Sequence, residues 1–392
     1  MPAAPATYLD SNAGAPLHPS AALAISRVLA VGLVPNPSSI HAHGRIAKRY
    51  VAEARERIAL SLGSGTDPEQ IVFTSSGSEA NQLAIRGVLE PRLARGERPH
   101  WITTPVEHDS VRSMAKWLEE RGGSVSYLPV DAAGAPVATA IAQLVRPETA
   151  LVSGVWVNNE TGVISDVRAF ARACSDARVP LHLDAAQAWG KLPVDVDVSG
   201  ASLVTFSGHK VGAPAGVGVV WLARGTRPEA VIAGKQEKGR RGGTENVLGI
   251  VGLGAAAGEI SSQAYDAKVR PLRDRLEREI SLRIPGTRVN GATGPRVGNT
   301  LNLSFDEVES DGLVMALDLG GYSVSSGSAC ASGAIEPSHI LLAMGRSKAQ
   351  ASAAVRVSLP GEVEWTVLEG FIRTLEVAVA RVRGAAEVEA HF

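Results

Sequence analysis

Three stretches of this chain carry polar residues whose types and spacing could do chemistry. The first, Ser75-Ser76-Gly77-Ser78-Glu79, follows an apolar run at 71–74. Ser76 and Glu79 have capping-box spacing and Gly77 permits close backbone approach, so the segment is either a plain helix cap or an anion site at a helix N-terminus. The second is Asp184, at the end of the run 180–184 and followed by Ala185-Ala186-Gln187. A carboxylate there either caps the next helix or offsets its desolvation by pairing with a cationic ring nitrogen. The third is Ser207-Gly208-His209-Lys210, after the run 202–206. Its lysine is either a solvated surface charge or, inside a cleft, an amine of lowered pKa that forms a Schiff base with an aldehyde. Each stretch alone leaves both readings open. Together they supply a phosphate site, a partner for a pyridinium nitrogen and an amine for an aldehyde, the three handles needed to hold pyridoxal phosphate.

The elements that must position these groups are legible as pattern. Between residues 70 and 225, seven β-rich runs (71–74, 101–104, 124–129, 151–157, 180–184, 202–206 and 217–222) alternate with helical stretches, which predicts an α/β domain with a largely parallel sheet. Ligands of such sheets collect beyond the C-terminal strand ends, where all three stretches lie. Ile46, Tyr50, Ala54, Ile58 and Leu62 predict the apolar face of a helix ahead of the first strand. Residues 234–246 read as a basic, Gly-rich loop, and those that follow as a buried helix. A long helix over 264–283 opens a smaller domain, where runs at 301–305 and 353–359 predict an antiparallel sheet. The expected division is a large domain over 15–260 and a small one formed by 1–14 and 261–392.

Composition narrows the function. The 392 residues hold 39 Lys and Arg against 40 Asp and Glu, which gives no sign of a polybasic nucleic-acid surface. The longest apolar stretch, 248–258, is about half a membrane span, so neither insertion nor export is signalled and a cytoplasmic protein is expected. Two cysteines make no disulfide framework, which fits a reducing compartment. Cys174, in the helical stretch AFARACSDAR, reads as a structural thiol. Cys330 lies among Ser, Gly and Ala with almost nothing apolar to bury it, so it needs a chemical reason. His41-Ala42-His43 lacks a carboxylate or cysteine at ligand spacing, and no metal is expected.

Asp184-Ala185-Ala186-Gln187, Ser207-Gly208-His209-Lys210 and Ser325-Ser326-Gly327-Ser328-Ala329-Cys330 together resemble the pyridoxal-phosphate cysteine desulfurases of the NifS/IscS type, within the class-V aminotransferases. The resemblance runs from Tyr8-Leu9-Asp10 through Asn36-Pro37-Ser38-Ser39-Ile40-His41 to Arg356-Val357-Ser358-Leu359, and its most specific piece is the cysteine loop. It implies an aspartate-aminotransferase-like fold of type I, with a large domain around a mostly parallel sheet and a smaller α+β C-terminal domain. It also implies the site. Lys210 would carry the cofactor and shuttle protons, with His108 stacked on the ring and assisting. Asp184 would keep the ring nitrogen protonated, Gln187 would bond the ring hydroxyl, and Asn159 would contact cofactor or substrate. Gly77, Ser78, Ser207 and His209 would hold the phosphate, with Thr244 reaching in from a second subunit. Arg356 would clamp the substrate carboxylate. Taken singly, His108 could instead cap a loop and Arg356 could form an ordinary ion pair.

The implied reaction is removal of sulfur from L-cysteine, giving L-alanine and a persulfide on Cys330 for a sulfur-acceptor protein. Iron–sulfur cluster assembly, tRNA thiolation and DNA phosphorothioation are all destinations served by similar enzymes. The alternatives are a selenocysteine lyase, another class-V aminotransferase, or a non-catalytic scaffold, the last of which predicts loss of the lysine or the cysteine. Three positions depart from the family pattern: Asp10-Ser11-Asn12-Ala13-Gly14-Ala15-Pro16 lacks the usual threonine pair, Ala331 follows Cys330, and Leu359-Pro360-Gly361 carries an inserted proline. A homodimer is expected, as is a mobile segment from Ser326 to Gly333.

Overall fold

The computed structural model describes residues 7–326 and 336–389, with side chains up to Gly384. Before the first strand come α1 (Pro19–Leu29) and α2 (Ala42–Leu62). Seven strands then follow: β1 (Ile71–Thr74), β2 (His100–Thr103), β3 (Ser124–Tyr127), β4 (Thr149–Val155), β5 (Leu181–Asp184), β6 (Leu203–Ser207) and β7 (Gly218–Leu222). They form one sheet in the order β1-β7-β6-β5-β4-β2-β3. Only β7 runs against its neighbours; the connection from β6 is too short for a crossover helix, so the chain must turn straight back. The other adjacent pairs are parallel, as the alternating pattern predicts.

Both faces of the sheet are covered, which is why its central strands read as apolar runs rather than as alternation. On one face lie α2 and α6 (Val247–Ala257), packed with Ile71 and Phe73. On the other lie α3 (Gly77–Ala94) and α4 (Asp109–Glu119), packed with Val72. The expected face of α2 needs correction at its N-terminal end. Ala54, Ile58 and Leu62 are buried, but Ile46 is 38% exposed and Ala47 and Val51 take the inner positions. Steps of four residues overshoot the 3.6-residue turn by about 40° each, so the stripe drifts around the helix. Gly254 of α6 lets the two helices meet, since a Cβ there would stand 2.6 Å from Ala54 Cα.

The C-terminal part begins with α7 (Ser262–Arg283), starting two residues before the expected helix. Its sheet comprises β8 (Thr287–Val289), β9 (Thr300–Phe305), β10 (Ser325–Ser326) and β11 (Ala354–Ser358), antiparallel in the order β10-β11-β9-β8. Helices α7, α8 (Ser310–Leu319) and α9 (Trp365–Glu389) bury the apolar side of this sheet. The chain's first described residues return to this region: Thr7 and Tyr8 pair with Tyr322 and Ser323, Asp10 bridges Ser358, and Leu9 is fully buried in the same core. Residues 10–14 thereby leave the small sheet and run to the C-terminal ends of β5 and β6.

Candidate active site

At those strand ends, against the first turns of α3 and α4, lies a cavity of about 440 Å³. One end of it is built from the start of α3. Ser76 Oγ accepts the Glu79 N–H at 3.1 Å, and the first main-chain helix bond runs from Ala80 N–H to Ser76 O. The N–H groups of Gly77 and Ser78 are therefore not spent on the helix, and both residues line the cavity. The cap therefore leaves room for an anion at the same helix start. A Cβ on Gly77 would stand 2.8 Å from Ser207 Cβ, so only glycine lets the end of β6 close on the helix start. Ser207 Oγ lies 3.0 Å from His209 Nδ1, and burial followed by the neighbouring Lys210 holds the His209 pKa down at about 4, leaving a neutral ring. The expected capping box is only half formed. Glu79 bonds Ser75 N–H at 2.8 Å and takes a bidentate grip from Arg241, because the cation from the 234–246 loop outcompetes a second main-chain donor.

Alternation along β5 sets Leu183 on one face and His182 and Asp184 on the other. Asp184 Oδ1 accepts Ala186 N–H at 3.0 Å and Oδ2 accepts Asn81 Nδ2 at 2.8 Å. Asn81 is held in turn by Thr205, which lies within reach of His182 Nε2, and burial keeps His182 well below the usual imidazole range. Two neutral donors fix the Asp184 carboxylate with lone pairs to spare, and no lysine or arginine neutralises it at salt-bridge distance among the described residues. A cationic ring nitrogen fits that vacancy of charge.

Lys210 follows β6 in the turn that leads into β7. Its Nζ donates to Asn12 O at 2.6 Å and Ala13 O at 2.8 Å, partners that do not neutralise it. Burial, reinforced by Arg356, brings its pKa down to about 8. Gln187 donates through Nε2 to Asn12 O at 2.9 Å, while its Oε1 accepts from the buried Lys191, whose Nζ also reaches Asn12 Oδ1 at 3.0 Å. That leaves one Gln187 Nε2 hydrogen for a ring hydroxyl. Since only the neutral amine attacks an aldehyde, cofactor uptake by the cofactor-free protein rises about tenfold per pH unit below the Lys210 pKa and levels off above it. Stopped-flow absorbance measures this; a flat rate between roughly pH 6 and pH 9 contradicts it.

His108 both caps and lines the cavity. Its Nδ1 accepts the Ser110 N–H at 3.1 Å at the start of α4, which leaves Nε2 as the nitrogen available to a ligand. Asn159 lines the same space, with Oδ1 buried and without a partner among the described residues. Arg356, on β11, reaches in from the small sheet and donates through Nη1 to Asn159 O at 3.1 Å. Gly77, Ser78, His108, Asn159, Asp184, Gln187, Ser207, His209, Lys210 and Arg356 thus meet in one cavity. Thr244 does not. It is exposed on the 234–246 loop and lines no part of its own chain's cavity. Cys330 and most of the segment expected to be mobile lie outside the described residues, though Ser325, Ser326, Glu336 and Pro337 on either side line the cavity. Sequence reasoning missed Asn81, Thr205 and Lys191, and read Asn12 only as a departure. The period of two along β6, which puts Thr205 on the side of Ser207, and the four-residue step from Gln187 to Lys191 were the available signals.

An unspent helix N-terminus, a cradle closed by glycine, an orphaned Asn159 oxygen, a carboxylate without a counter-ion and an amine of lowered pKa fit pyridoxal phosphate. This combination defines an enzyme of the type I fold. The Aminotransferase class-V family model matches residues 7–363, and the chain belongs to that family. A cysteine desulfurase of Nostoc sp. is 39% identical over 380 residues, covering 96% of this chain and 93% of that protein. Among solved structures, a NifS-like protein superposes with a TM-score of 0.87 at 30% identity, covering 96% of this chain and 99% of the other. SspA in complex with cysteine matches with a TM-score of 0.79 at 32% identity, over 91% of this chain and 99% of that one. Within its family, the chain is a pyridoxal-phosphate-dependent enzyme of the cysteine desulfurase group.

Proposed function

We propose that this cysteine desulfurase takes sulfur from L-cysteine with Lys210 and His108 moving protons, Arg356 holding the carboxylate and Cys330 receiving the sulfur. The observation that carries this is the Lys210 amine, buried, depressed in pKa and held on two carbonyls beside an uncompensated Asp184. When bound, pyridoxal phosphate supplies an aldehyde that joins amines and a ring that withdraws electrons from the substrate α-carbon. Asp184 would hold the proton on the ring nitrogen, while Gly77, Ser78, Ser207 and His209 would anchor the phosphate. Lys210 Nζ would take and return the α-proton, and His108 Nε2, the ring nitrogen left free by the cap, would assist. The Cys330 thiolate attacks the substrate sulfur: the new S–S bond forms as the C–S bond breaks, and the carbon is protonated. The balance is one L-cysteine and one thiol to one L-alanine and one persulfide, with no external oxidant. The persulfide then passes to an acceptor protein, in the cytoplasm, where free thiols persist.

The test is one turnover without reductant, followed by mass spectrometry of the Cys330 peptide. One added sulfur per alanine released supports the assignment, and sulfur on Cys174 or on neither refutes it. L-selenocysteine and a 2-oxo acid as alternative substrates separate the rival reactions.

The working unit is a homodimer in which Thr244 completes the neighbouring chain's phosphate site. Two features support this: Thr244 stands outside its own cavity, and Leu17, Leu23, Leu29, Val31, Leu33 and Ile40 form a concentrated run of exposed apolar side chains near the N-terminus. Analytical ultracentrifugation is expected to give a dimer at assay concentration, and Thr244→Val to weaken cofactor binding about tenfold. A fully active monomer overturns the arrangement.

A further inference from the structure

Arg356 is already engaged. Its Nη2 forms an ion pair with Asp10 Oδ1 at 2.7 Å and donates to Ser325 Oγ at 3.1 Å, while Nη1 donates to Asn159 O at 3.1 Å. Ser325 donates to Asp10 Oδ2 at 2.7 Å, which closes the triangle. Nε is buried and has no partner among the described residues. A guanidinium grips a carboxylate with two parallel bonds along only two edges, Nε with Nη2 or Nη1 with Nη2. Both edges need an Nη2 hydrogen, and both Nη2 hydrogens are taken. Nε is closed off from solvent, so a ligand gains either edge only by displacing what Nη2 already holds. A carboxylate arriving there must draw a hydrogen from Asp10 or Ser325, and in either case lies beside the Asp10 charge. The Arg356 and Asp10 side chains are 9% and 13% exposed, so solvent screens that repulsion weakly.

We propose that Asp10 sets the affinity of the site for substrate: it is a resident counter-ion that holds Arg356 when the site is empty and competes with the amino-acid carboxylate for it. The inference rests on the reading of Arg356 as the carboxylate clamp. The device meets two physical needs. A buried guanidinium without a partner is strongly unfavourable, and Asp10 supplies one between turnovers. Product alanine carries the same carboxylate as cysteine, so an unopposed clamp would retain it as firmly as it captures substrate. The position of Asp10 is built into the fold: its main chain bridges Ser358, and its carbonyl accepts the Tyr8 hydroxyl at 2.9 Å, so the carboxylate is delivered to Arg356 by the same segment that carries Asn12 to Lys210.

Calorimetric titration of the holoenzyme with L-alanine, and with L-alaninamide in which the carboxylate charge is absent, tests this. Asp10→Asn and Asp10→Ser should each tighten L-alanine about tenfold, leave L-alaninamide within about twofold, and lower KM for L-cysteine in proportion. Arg356→Gln should weaken L-alanine about a hundredfold. If both Asp10 variants bind L-alanine no better than wild type while Arg356→Gln still weakens it, Asp10 only positions the arginine and the competition is refuted. Equal tightening of L-alaninamide refutes it as well. If Arg356→Gln binds L-alanine like wild type, the clamp assignment fails, and the role of Asp10 with it.

Discussion

Lys210→Ala should abolish turnover, with alanine release falling about 10,000-fold or more. The amine lines the cavity just beyond the end of β6, held by Asn12 and Ala13 carbonyls. The other buried amine of the site, Lys191, is committed to Gln187 and Asn12 and does not line the cavity, so it does not substitute. The start of α3, proposed to hold the phosphate, is untouched by the change, so the variant should still bind pyridoxal phosphate, but without a covalent link. Borohydride reduction followed by intact-protein mass spectrometry should leave the cofactor on wild type and none on the variant. A variant that retains even a few per cent of the wild-type rate removes Lys210 from its assigned role.

Cys330→Ser should lose alanine and sulfide release by about 1,000-fold or more while keeping cofactor, covalent linkage to Lys210 and L-cysteine binding, because a hydroxyl is a poor nucleophile toward sulfur. Cys174→Ser is the matched control. Cys174 sits on α5 (Val167–Ala177), is 2% exposed, and burial pushes its thiol up to about 12, so it carries almost no thiolate at neutral pH. Its replacement should leave the rate within about twofold while lowering stability modestly, by roughly 1–3 kcal/mol, through burial of a hydroxyl. Alanine release with a dithiol present, set beside thermal melting of each variant, separates the two outcomes. A Cys330→Ser enzyme near the wild-type rate, or a Cys174→Ser enzyme without activity, reverses the assignment of the sulfur acceptor.

What the amino-acid sequence determined by itself is the set of features that short stretches encode. Strands buried on both faces announce themselves as apolar runs, and all seven β-rich runs of the large sheet are strands, the partly exposed edge strand β3 included. The groups that follow a strand end within a few residues, such as Asp184 with Gln187 or Ser207 with Lys210, are legible because the turn that places them is contiguous. Tertiary structure decided the rest. Asn81 meets Asp184 across 103 positions, and Asp10 meets Arg356 across 346, pairings that no local spacing contains. The inner face of α2 follows the true helical pitch and the contact with Gly254 rather than the four-residue stripe. The state of Lys210 is the clearest case. A lysine after a strand is compatible with a solvated charge or a reactive amine, and the choice is made by desolvation and by Arg356, which arrives from another sheet. Burial and long-range charge are properties of the packed chain, because both depend on which distant segments exclude water from a given atom.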